Sequence, residues 1–555
     1  MASDWSNNPA RGAGHSSCES GAMRKIVKLC SLLFVSPLLW NSHARAQQAP
    51  PLSELDFHSS NSALNEAFRW AREQALAYVR TGSDSIGPWY EAALPGRNAF
   101  CMRDVSHQTT GAAALGLFAA NRNMLHRFAD SAAASRNWAA YWEIDGKGTP
   151  SPADYRSDTD FWFNLPANFD MLDAIVRMWR WTGDESYRND PRLQLFFRAT
   201  LTDYIAQWQL QPETILTRPR IANQLQAKGE FVASRGIPSY TEGPKDFIFG
   251  ADLLAAEYRA IRSYREIALT PEDKELAVRL QATANSIQHL LEKIAWSQEH
   301  GHFNGVIQKS LRGYGSGDTL ALYFNAVKDP GHLHGALDYV SDSAYWKTIN
   351  IEEESYVPIV LFRNGRTPAA YQVLLDLAAR GKPRREYPEV SYAVIAALVS
   401  GAMGIEPAAM GDAYDVQTLP QPMTKTDELS VASLRIKGNV VDVSHFGGPG
   451  TRFVNRKGPI LRWRAVFEGT IDKLQVNERL VHAEHGLFSG GTPVSWTTVN
   501  VPPGESIVVS QARAGEDSKS TSVFPLSSGP STPPSVSVRL ASTRQAKRRA
   551  ALACR

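Results

Sequence analysis

Two acids of one segment, Glu242 and Asp246, have the types and neighbours needed for proton transfer. They flank a Gly-Pro break within residues 239–250 and follow Tyr240. Because proline interrupts a helix, we expect Glu242 in a loop and Asp246 in the first turn of a helix over residues 247–267. Either carboxyl could then point into a cavity. The alternative, that the acids only complement a helix amino terminus, stays open.

A third acid, Glu389, precedes the most apolar stretch of the chain, residues 390–405. Such a helix belongs inside a helical fold, so the loop before it should open inward. The helix amino terminus would keep Glu389 ionised, as a general base requires. Together with Glu242 or Asp246 it fits an inverting glycosidase, which uses two carboxyl groups ~6.5–9.5 Å apart. Simple helix capping by Glu389 is the alternative.

Residues suited to hold a sugar occur in neighbouring loops. Aromatic rings can stack on sugar faces, while Asp and Arg side chains can bind hydroxyl groups. The candidates are Trp89, Tyr90, Arg103, Asp104, His107, Asp160, Trp162, Tyr240, Arg385 and Tyr387. For Arg103 and Asp104 the alternative is a salt bridge that caps a helix beginning near Val105. The acids of residues 154–164 match no calcium-loop spacing, so we expect neither a metal nor a cofactor.

The elements that must position these residues are helical over residues 55–405. Apolar residues recur at helical spacing and are interrupted by short turns, such as Thr182-Gly183-Asp184. Longer loops rich in aromatic and acidic residues occur about once per helical hairpin, at residues 87–107, 154–168, 235–246, 313–318, 351–358 and 384–392. This rhythm predicts a closed toroid or an open array of helical hairpins, and in a toroid the loops would converge on one cavity.

The composition changes after Pro407. Short runs that alternate apolar and polar residues predict a small antiparallel β-sandwich. We therefore divide the chain into residues 1–46 (a start called too early plus a signal peptide), 47–410 (an (α/α)6 toroid), 425–511 (a β-sandwich) and 512–555 (a disordered tail). The fold class is mainly α.

The amino-terminal residues predict export. A basic segment beginning at Met23, an apolar run over residues 29–40 and Ala44-Arg45-Ala46 match a secretory signal peptide. A secreted, periplasmic location follows from this interpretation. Residues 390–405 are too short and too rich in small residues for a membrane span.

The net charge and the cysteine content limit which binding partners and disulfides the sequence predicts. The net charge is +3, and basic residues form no stripe, so no nucleic-acid partner is expected. Cleavage would leave Cys101 and one cysteine in the tail, which defines no disulfide framework. Carbohydrate is the expected partner, and the oligomeric state is open.

With this layout the chain resembles the six-hairpin glycosidase superfamily, the (α/α)6 toroids that include trehalases, processing α-glucosidases and rhamnosidases. Arg103-Asp104-Val-Ser looks like the early turn that binds the non-reducing sugar in several of these families. The run from Tyr240 to Phe247 is similar to Glu-Ser-Gly-Trp-Asp-Phe of trehalases and processing glucosidases.

The resemblance implies roles for the three acids. It gives Asp246 the role of general acid, while other members use a Glu of the same region, which retains Glu242. Glu389 corresponds in position to the general base. Pro244 and Lys245 depart from the run, so no individual family and no substrate is implied.

The resulting prediction is a secreted glycoside hydrolase, inverting and exo-acting, that cleaves an oligo- or polysaccharide. Basic residues in the loops, Arg103, Arg156, Lys245, Arg384 and Arg385, suggest a substrate with a carboxylate, such as a uronic acid. A polysaccharide lyase using Tyr155, Tyr240 or His107 as base is one alternative. A non-catalytic glycan-binding helical protein is another.

Overall fold

The computed structural model describes residues 53–80, 85–219, 231, 234–242, 247–409 and 411–512. Within them a helical region is followed by a separate sheet region, as the change in composition after Pro407 predicted. The predicted leader and tail lie outside the described residues. Asp246 lies outside them as well.

The described residues form sixteen α-helices. They are α1 (Ser62–Ala77), α2 (Met102–Ala114), α3 (Phe118–Ser131), α4 (Pro166–Thr182), α5 (Ser186–Asn189), α6 (Pro191–Ala199), α7 (Ile205–Trp208), α8 (Ala251–Ile267), α9 (Pro271–Leu290), α10 (Asp318–Tyr323), α11 (Pro330–Ser341), α12 (Ser343–Trp346), α13 (Ile351–Glu354), α14 (Val357–Arg363), α15 (Thr367–Ala378) and α16 (Pro388–Ala396).

Six of these helices contact one another in cyclic order. α2 packs against α4, α4 against α8, α8 against α10, and α10 against α14. α14 packs against α16 and its continuation, and α16 packs back against α2. The other long helices α1, α3, α9, α11 and α15 each pack against a member of this cycle, as helical hairpins would require.

Helix boundaries follow local sequence signals. α4 begins at Pro166, whose missing N–H costs nothing in a first turn, and ends at Gly183, whose φ of 70° suits glycine. The predicted apolar helix after Glu389 is confirmed: α16 begins at Pro388 and continues as a π-helical turn over Ala397–Ala402. All of its residues are buried.

Short strands occur in the helical region. The first fourteen strands are β1 (Asp56–Ser59), β2 (Val79–Arg80), β3 (Trp89–Tyr90), β4 (Ala99–Cys101), β5 (Glu143–Asp145), β6 (Tyr155–Ser157), β7 (Asp160–Phe161), β8 (Phe163–Asn164), β9 (Arg235–Ile237), β10 (Phe247–Gly250), β11 (Trp296–Ser297), β12 (His302–Phe303), β13 (Val306–Gln308) and β14 (Gly313–Tyr314).

The helix predicted over residues 247–267 is wrong at its start. Phe247–Gly250 is strand β10, which pairs antiparallel with β13, and α8 begins only at Ala251. Two phenylalanines and an isoleucine favour the strand, and Gly250 with its extended backbone separates it from the helix.

Eleven further strands build the sheet region. They are β15 (Glu406–Pro407), β16 (Val416–Thr418), β17 (Glu428–Ile436), β18 (Asn439–Phe446), β19 (Gly450–Lys457), β20 (Leu461–Glu468), β21 (Lys473–Val476), β22 (Arg479–His482), β23 (Glu484–Leu487), β24 (Pro493–Val501) and β25 (Ser506–Gln511).

These strands form two sheets. The first has the order β1-β17-β18-β19-β25-β21-β22, and every neighbouring pair is antiparallel. The second has the order β15-β16-β20-β24-β23, in which β16 and β20 run parallel. Strands β1, β15 and β16 come from outside residues 425–511, so the sheets use more of the chain than the predicted boundary allowed.

Buried side chains join the sheets to each other and to the helices. The rings of Phe453 in β19 and Trp463 in β20 stack with centroids 5.0 Å apart. The Trp181 indole at the end of α4 donates to the Arg435 carbonyl at 3.0 Å. His445 in β18 lies 3.0 Å from the Met403 carbonyl. None of the described helices has the length and apolar composition needed to cross a bilayer.

The close approach of α2 to α16 gives a stability prediction. A Cβ at Gly111 would overlap the backbone carbonyl of Tyr392, which cannot move without shifting α16. We expect Gly111→Ala to lower the free energy of unfolding by ~1–3 kcal/mol, the usual cost of overpacking a core. Thermal unfolding followed by circular dichroism measures this.

The control is Gly381→Ala, at a turn where a Cβ would meet nothing within 4 Å. This variant should stay within ~0.5 kcal/mol of the parent protein. Equal stability of the two variants would contradict the tight contact between α2 and α16.

Candidate active site

Arg103 lies at the centre of a cluster of acids. Strand β4 pairs with β5 and leads directly into α2, so the first turn of the helix holds Arg103 and Asp104. The Arg103 guanidinium lies 3.2 Å from Asp104 and 3.0 Å from Glu352. It also lies over the Tyr240 ring, 5.7 Å from its centroid. The predicted Arg103–Asp104 unit therefore binds acids and an aromatic from distant segments.

Glu389 and Asp104 form a buried pair of carboxyl groups that share a hydrogen bond. Burial, reinforced by the charge of Asp104, raises the pKa of Glu389 well above its ordinary value of 4.5. Burial also raises the pKa of Asp104 to about 6, although the Arg103 charge opposes it. The pair therefore holds one proton near neutral pH.

The expectation that a helix amino terminus keeps Glu389 ionised does not match this pKa direction. A helix terminus contributes about 0.3–1 kcal/mol at exposed positions. Removing a carboxylate from water costs several kcal/mol, and Glu389 is 3% exposed. Its Oε1 atom has no hydrogen-bond partner among the described residues.

Glu242 is a further acid whose charge interacts with Arg103. Burial raises its pKa to about 7, with Arg103 lowering it and the Glu352 charge raising it further. It shares a hydrogen bond with the Asn164 side chain. The segment before it is fastened to α8, because Asp252 accepts from the Ser239 hydroxyl at 3.1 Å and from the Tyr240 backbone N–H.

Glu352 is a site residue that the sequence interpretation did not name. It lies in the short helix α13, whose Asn350 caps the amino terminus. Its carboxylate binds Arg103 at 3.0 Å and Arg384 at 3.3 Å. The run of three acids at residues 352–354, in a loop already expected to face the cavity, was the signal for it.

Glu353 and Glu354, the neighbours of Glu352, have other partners. Tyr345 donates to Glu353 at 2.9 Å, and burial raises the pKa of Glu353 to about 7. Glu354 pairs with Lys382 at 2.6 Å. The three consecutive acids therefore point to three different partners, and only Glu352 binds Arg103.

Aromatic side chains pack beneath the acid cluster. The imidazole of His107 stacks on Tyr356 with ring centroids 3.6 Å apart, and its Nε2 lies 2.9 Å from the Ser355 hydroxyl. Burial and nearby arginines lower the pKa of His107 well below 6.5, so it is neutral. Tyr240 donates to Asp170 at 3.2 Å, and burial raises the pKa of Asp170 to about 7. His107 and Tyr240 therefore have positioning roles, because the His107 Nε2 atom and the Tyr240 hydroxyl are bound to other residues of the site.

Five helices of the cycle have an acid in the first turn or shortly before it, and in α4 the acid lies in the second turn. These acids are Asp104 for α2, Asp170 for α4, Asp252 for α8, Asp318 for α10, Glu353 for α14 and Glu389 for α16. All six are buried or nearly so, and burial is the first cause that raises the pKa of each. At this end of the helical region burial therefore opposes the ionised form of each acid.

Two predicted sugar-binding aromatics are wrong. Trp89 packs against Phe100 in the core, with ring centroids 5.6 Å apart and 1% of its surface exposed. Tyr90 is fully buried and donates to Asn121 at 2.7 Å. Both lie in β3, where consecutive side chains point to opposite faces, so both sides of this strand are covered by the protein.

Four further residues that were predicted to bind sugar contact residues other than Arg103. Asp160 pairs with Arg156 at 3.6 Å. The Trp162 indole donates to Asn164 at 2.8 Å and so contacts the site only through that residue. Arg385 lies over the Trp70 ring, 4.0 Å from its centroid. Tyr387 stacks with Arg384 at 4.2 Å and lies closer to the cluster.

The geometry permits acid–base chemistry. Glu242 and the Asp104–Glu389 pair each titrate near neutral pH, which is where proton donors and acceptors work best. Arg103 balances part of their charge. Perturbed carboxyl groups gathered in this way mark a candidate catalytic centre.

Comparisons with solved structures identify proteins whose fold is similar to that of this chain. The chain superposes on an α-L-rhamnosidase from Dictyoglumus thermophilum with a TM-score of 0.55 and 13% identity, covering 83% of this chain and 51% of that one. It superposes on a GH78 family rhamnosidase of Bacillus sp. GL1 with a TM-score of 0.51 and 13% identity, covering 73% and 41%. The chain thus spans about half or less of these neighbours. At this identity the likeness concerns the fold, and it agrees with the resemblance to six-hairpin glycosidases.

Sequence comparisons add no assignment. No protein-family model matches the chain. No curated protein matches it either.

The buried pair predicts a pH-dependent stability. The folded state keeps the Glu389 proton to higher pH than the unfolded chain does, so this contribution is complete below pH 4.5 and is lost as pH rises. Glu389→Gln removes the titration, and its amide can still donate to Asp104. Between pH 5 and 8 we expect the free energy of unfolding of this variant to fall less than that of the parent protein, by a difference of ~1 kcal/mol or more. Its melting temperature should fall correspondingly less.

Differential scanning calorimetry across this pH range is the measurement. Glu299→Gln is the control, since Glu299 is an exposed acid far from the cluster, and it should leave the decline unchanged. An identical decline in Glu389→Gln and the parent protein would show that Glu389 does not hold the proton.

Proposed function

We propose that the protein is an exo-acting, inverting glycoside hydrolase. The observation that carries this proposal is the meeting of Arg103, Asp104, Glu242, Glu352 and Glu389, from four separate segments, in one group of interacting charges. The fold shared with two rhamnosidases supports it.

The architecture we propose is an (α/α)6 toroid joined to a β-sandwich. The cyclic contacts of α2, α4, α8, α10, α14 and α16 support an inner ring of six helices. The stacked Phe453 and Trp463 support two sheets that pack face to face. Export through the predicted signal peptide, to the periplasm or the medium, is part of the same proposal.

In the proposed reaction Glu242 protonates the departing glycosidic oxygen. Its pKa of about 7 keeps a fraction of the carboxyl protonated at neutral pH. The Asp104–Glu389 pair accepts a proton from the attacking water, becoming doubly protonated as it does so. Activity should then fall below pH about 6, where the pair is already protonated, and above about 7, where Glu242 is ionised.

Asp246 remains the second candidate for the proton donor. The family resemblance favours it, and it lies four residues after Glu242. Variants of the two acids therefore need to be compared directly.

We propose a neutral sugar as substrate in preference to a uronic acid. Arg103 and Arg384, the two arginines in the cluster, both bind Glu352 already. Arg156 pairs with Asp160, and Arg385 lies over Trp70. Lys245 lies outside the described residues. A substrate carboxylate would also face Asp104, Glu242 and Glu389, and like charges at this distance repel.

The lyase alternative is weaker for two of its three candidate bases, the tyrosines Tyr155 and Tyr240. A lyase needs an ionisable tyrosine or histidine as base. Burial raises the pKa of Tyr240 well above 10, and Tyr155 donates to Asp158 at 2.6 Å with its pKa raised to about 12. Neither side chain is prepared to accept a proton.

The role of Glu242 can be tested through the leaving group. Glu242→Gln should lower kcat/KM by ~10²–10⁴-fold for glycosides with poor leaving groups, because these need protonation. For 2,4-dinitrophenyl glycosides, whose leaving group needs no proton, the loss should stay below about tenfold. Steady-state kinetics with both substrate types measures the difference.

Glu353→Gln is the matched control, since Glu353 has a similar pKa but binds Tyr345. It should slow both substrate types alike. If Glu242→Gln also slows both alike while Asp246→Asn shows the selective loss, Asp246 is the donor.

A substrate panel tests the proposed function as a whole. We expect hydrolysis of neutral chromogenic glycosides, with α-L-rhamnosides tried first, and little or no hydrolysis of uronides with the same aglycone. NMR of the first product should show inversion at the anomeric carbon. The arginine-based prediction of a uronic acid is correct instead if uronides are preferred and Arg384→Gln removes the preference.

The same panel of substrates distinguishes a glycoside hydrolase from the two alternatives, a lyase and a non-catalytic binding protein. A product that absorbs in the ultraviolet through a new conjugated double bond identifies a lyase. Binding of glycans without turnover, unchanged in Glu242→Gln and Glu389→Gln, identifies a non-catalytic binding protein.

A further inference from the structure

A cavity lies at the end of the cyclic helices that is opposite the acid cluster. It has a volume of about 260 Å³ and is bounded by the carboxyl-terminal parts of α4, α10, α14 and α16 and by residues of the sheet region such as Gln417 and Phe488. None of the acids that contact Arg103 lines it. We propose that this cavity, which we name the rear cavity, binds a small oxyanion such as phosphate or a carboxylate.

Four arginines line the rear cavity: Arg177, Arg180, Arg259 and Arg363. Three acids pair with them. Asp173 serves both Arg177 at 3.2 Å and Arg259 at 2.7 Å, Glu266 binds Arg180, and Glu406 lies 3.1 Å from Arg363. Of these acids only Asp173 and Glu406 line the cavity itself, together with the four guanidinium groups. Arg177 also lies 3.9 Å from Asp170, towards the acid cluster.

Three of these arginines keep N–H groups that no described residue accepts. Arg259 uses only Nε, towards Asp173, so both of its terminal nitrogens are without protein partners in the described structure. Arg180 and Arg363 use Nε and Nη2 towards their acids, which leaves each Nη1 unused by the described residues. Charged donors of this kind bind oxyanions strongly.

Ser400 adds an unsatisfied polar group to the same wall. It lies in the π-helical end of α16, is 3% exposed and lines the cavity. Its hydroxyl has no hydrogen-bond partner among the described residues. A buried hydroxyl without a partner is uncommon and calls for a ligand or water. The hydroxyl can donate to an oxyanion beside the guanidinium groups.

The carboxyl ends of the helices explain only part of this arrangement. Arginine near a helix carboxyl terminus is stabilising through the helix dipole. That effect needs a positive charge nearby but no free N–H donors directed to a common space. The combination of a cavity, unused donors and an unpaired hydroxyl is what a bound anion would satisfy.

The size of the rear cavity limits the ligand. About 260 Å³ is smaller than the ~300–1,000 Å³ pockets that hold drug-sized molecules. A phosphate or a short carboxylic acid fits this range, whereas an oligosaccharide does not. The proposal concerns binding alone and does not depend on the glycosidase reaction.

Isothermal titration calorimetry on the full chain tests the proposal. Inorganic phosphate and citrate are titrated separately at constant ionic strength, with sodium chloride as the control for screening. We expect saturable binding of at least one anion, with a rise in melting temperature that follows its concentration. Binding of citrate alone assigns the site to carboxylates, and binding of phosphate alone assigns it to phosphate.

Two variants locate the binding site. Arg363→Gln removes a partly exposed guanidinium, and Arg259→Lys keeps the charge beside Asp173 but removes the two free terminal nitrogens. Each should weaken the Kd at least tenfold while far-ultraviolet circular dichroism stays unchanged. Arg462→Gln, which changes an exposed arginine paired with Asp415 in the sheet region, should leave the Kd unchanged.

Three outcomes would overturn the proposal. The first is that neither anion binds beyond the sodium chloride control. The second is that Arg363→Gln and Arg259→Lys, both folded, bind as tightly as the parent protein. The third is that Arg384→Gln, at the acid cluster, abolishes binding, since the anion would then occupy that cluster instead of the rear cavity.

Discussion

The ion pairs of Arg103 are the interaction on which the acid cluster depends. Asp104 and Glu352 approach its guanidinium from different helices, and the charges of Glu242 and Glu389 act on the same group. Carboxylates gathered this closely repel one another unless a cation lies between them. Without Arg103 the site could persist only by holding more protons, and its acids would lose the difference between donor and acceptor.

Helix polarity arranges charge along the whole helical region. Acids such as Asp252 and Glu389 lie at amino ends, and arginines such as Arg180 and Arg363 lie at carboxyl ends. Each of these placements is a favourable interaction with the helix dipole, which stabilises the helix by about 0.3–1 kcal/mol per charge. Burial acts against the ionised form of the acids and raises their pKa values. Burial does not discharge arginine, whose pKa is too high, so the carboxyl ends remain positive.

The sequence predicted the acids of the site better than its aromatics. Asp104 and Glu389 could be singled out because each lies near the start of a predicted helix, and Glu242 because it adjoins a Gly-Pro break, and both patterns are visible in one dimension. Trp89 and Tyr90 failed because a stacking platform and a core residue have the same composition. Both sides of the short strand β3 are covered by the protein, which sequence spacing does not determine, and this buries both rings.

The sequence predicts the helical and sheet regions of the fold better than it predicts which charged residues pair with each other. The helical rhythm and the change to alternating strands after Pro407 are periodic signals, and both regions appear in the structure. The start of α8 was misplaced because four residues are too few for periodicity to separate strand from helix. Glu352 was missed for another reason: its importance comes from Arg103 and Arg384, which lie about 250 and 30 residues away. Arg103 and Arg384, which looked available for a substrate carboxylate, both bind Glu352, and this pairing is invisible in the sequence.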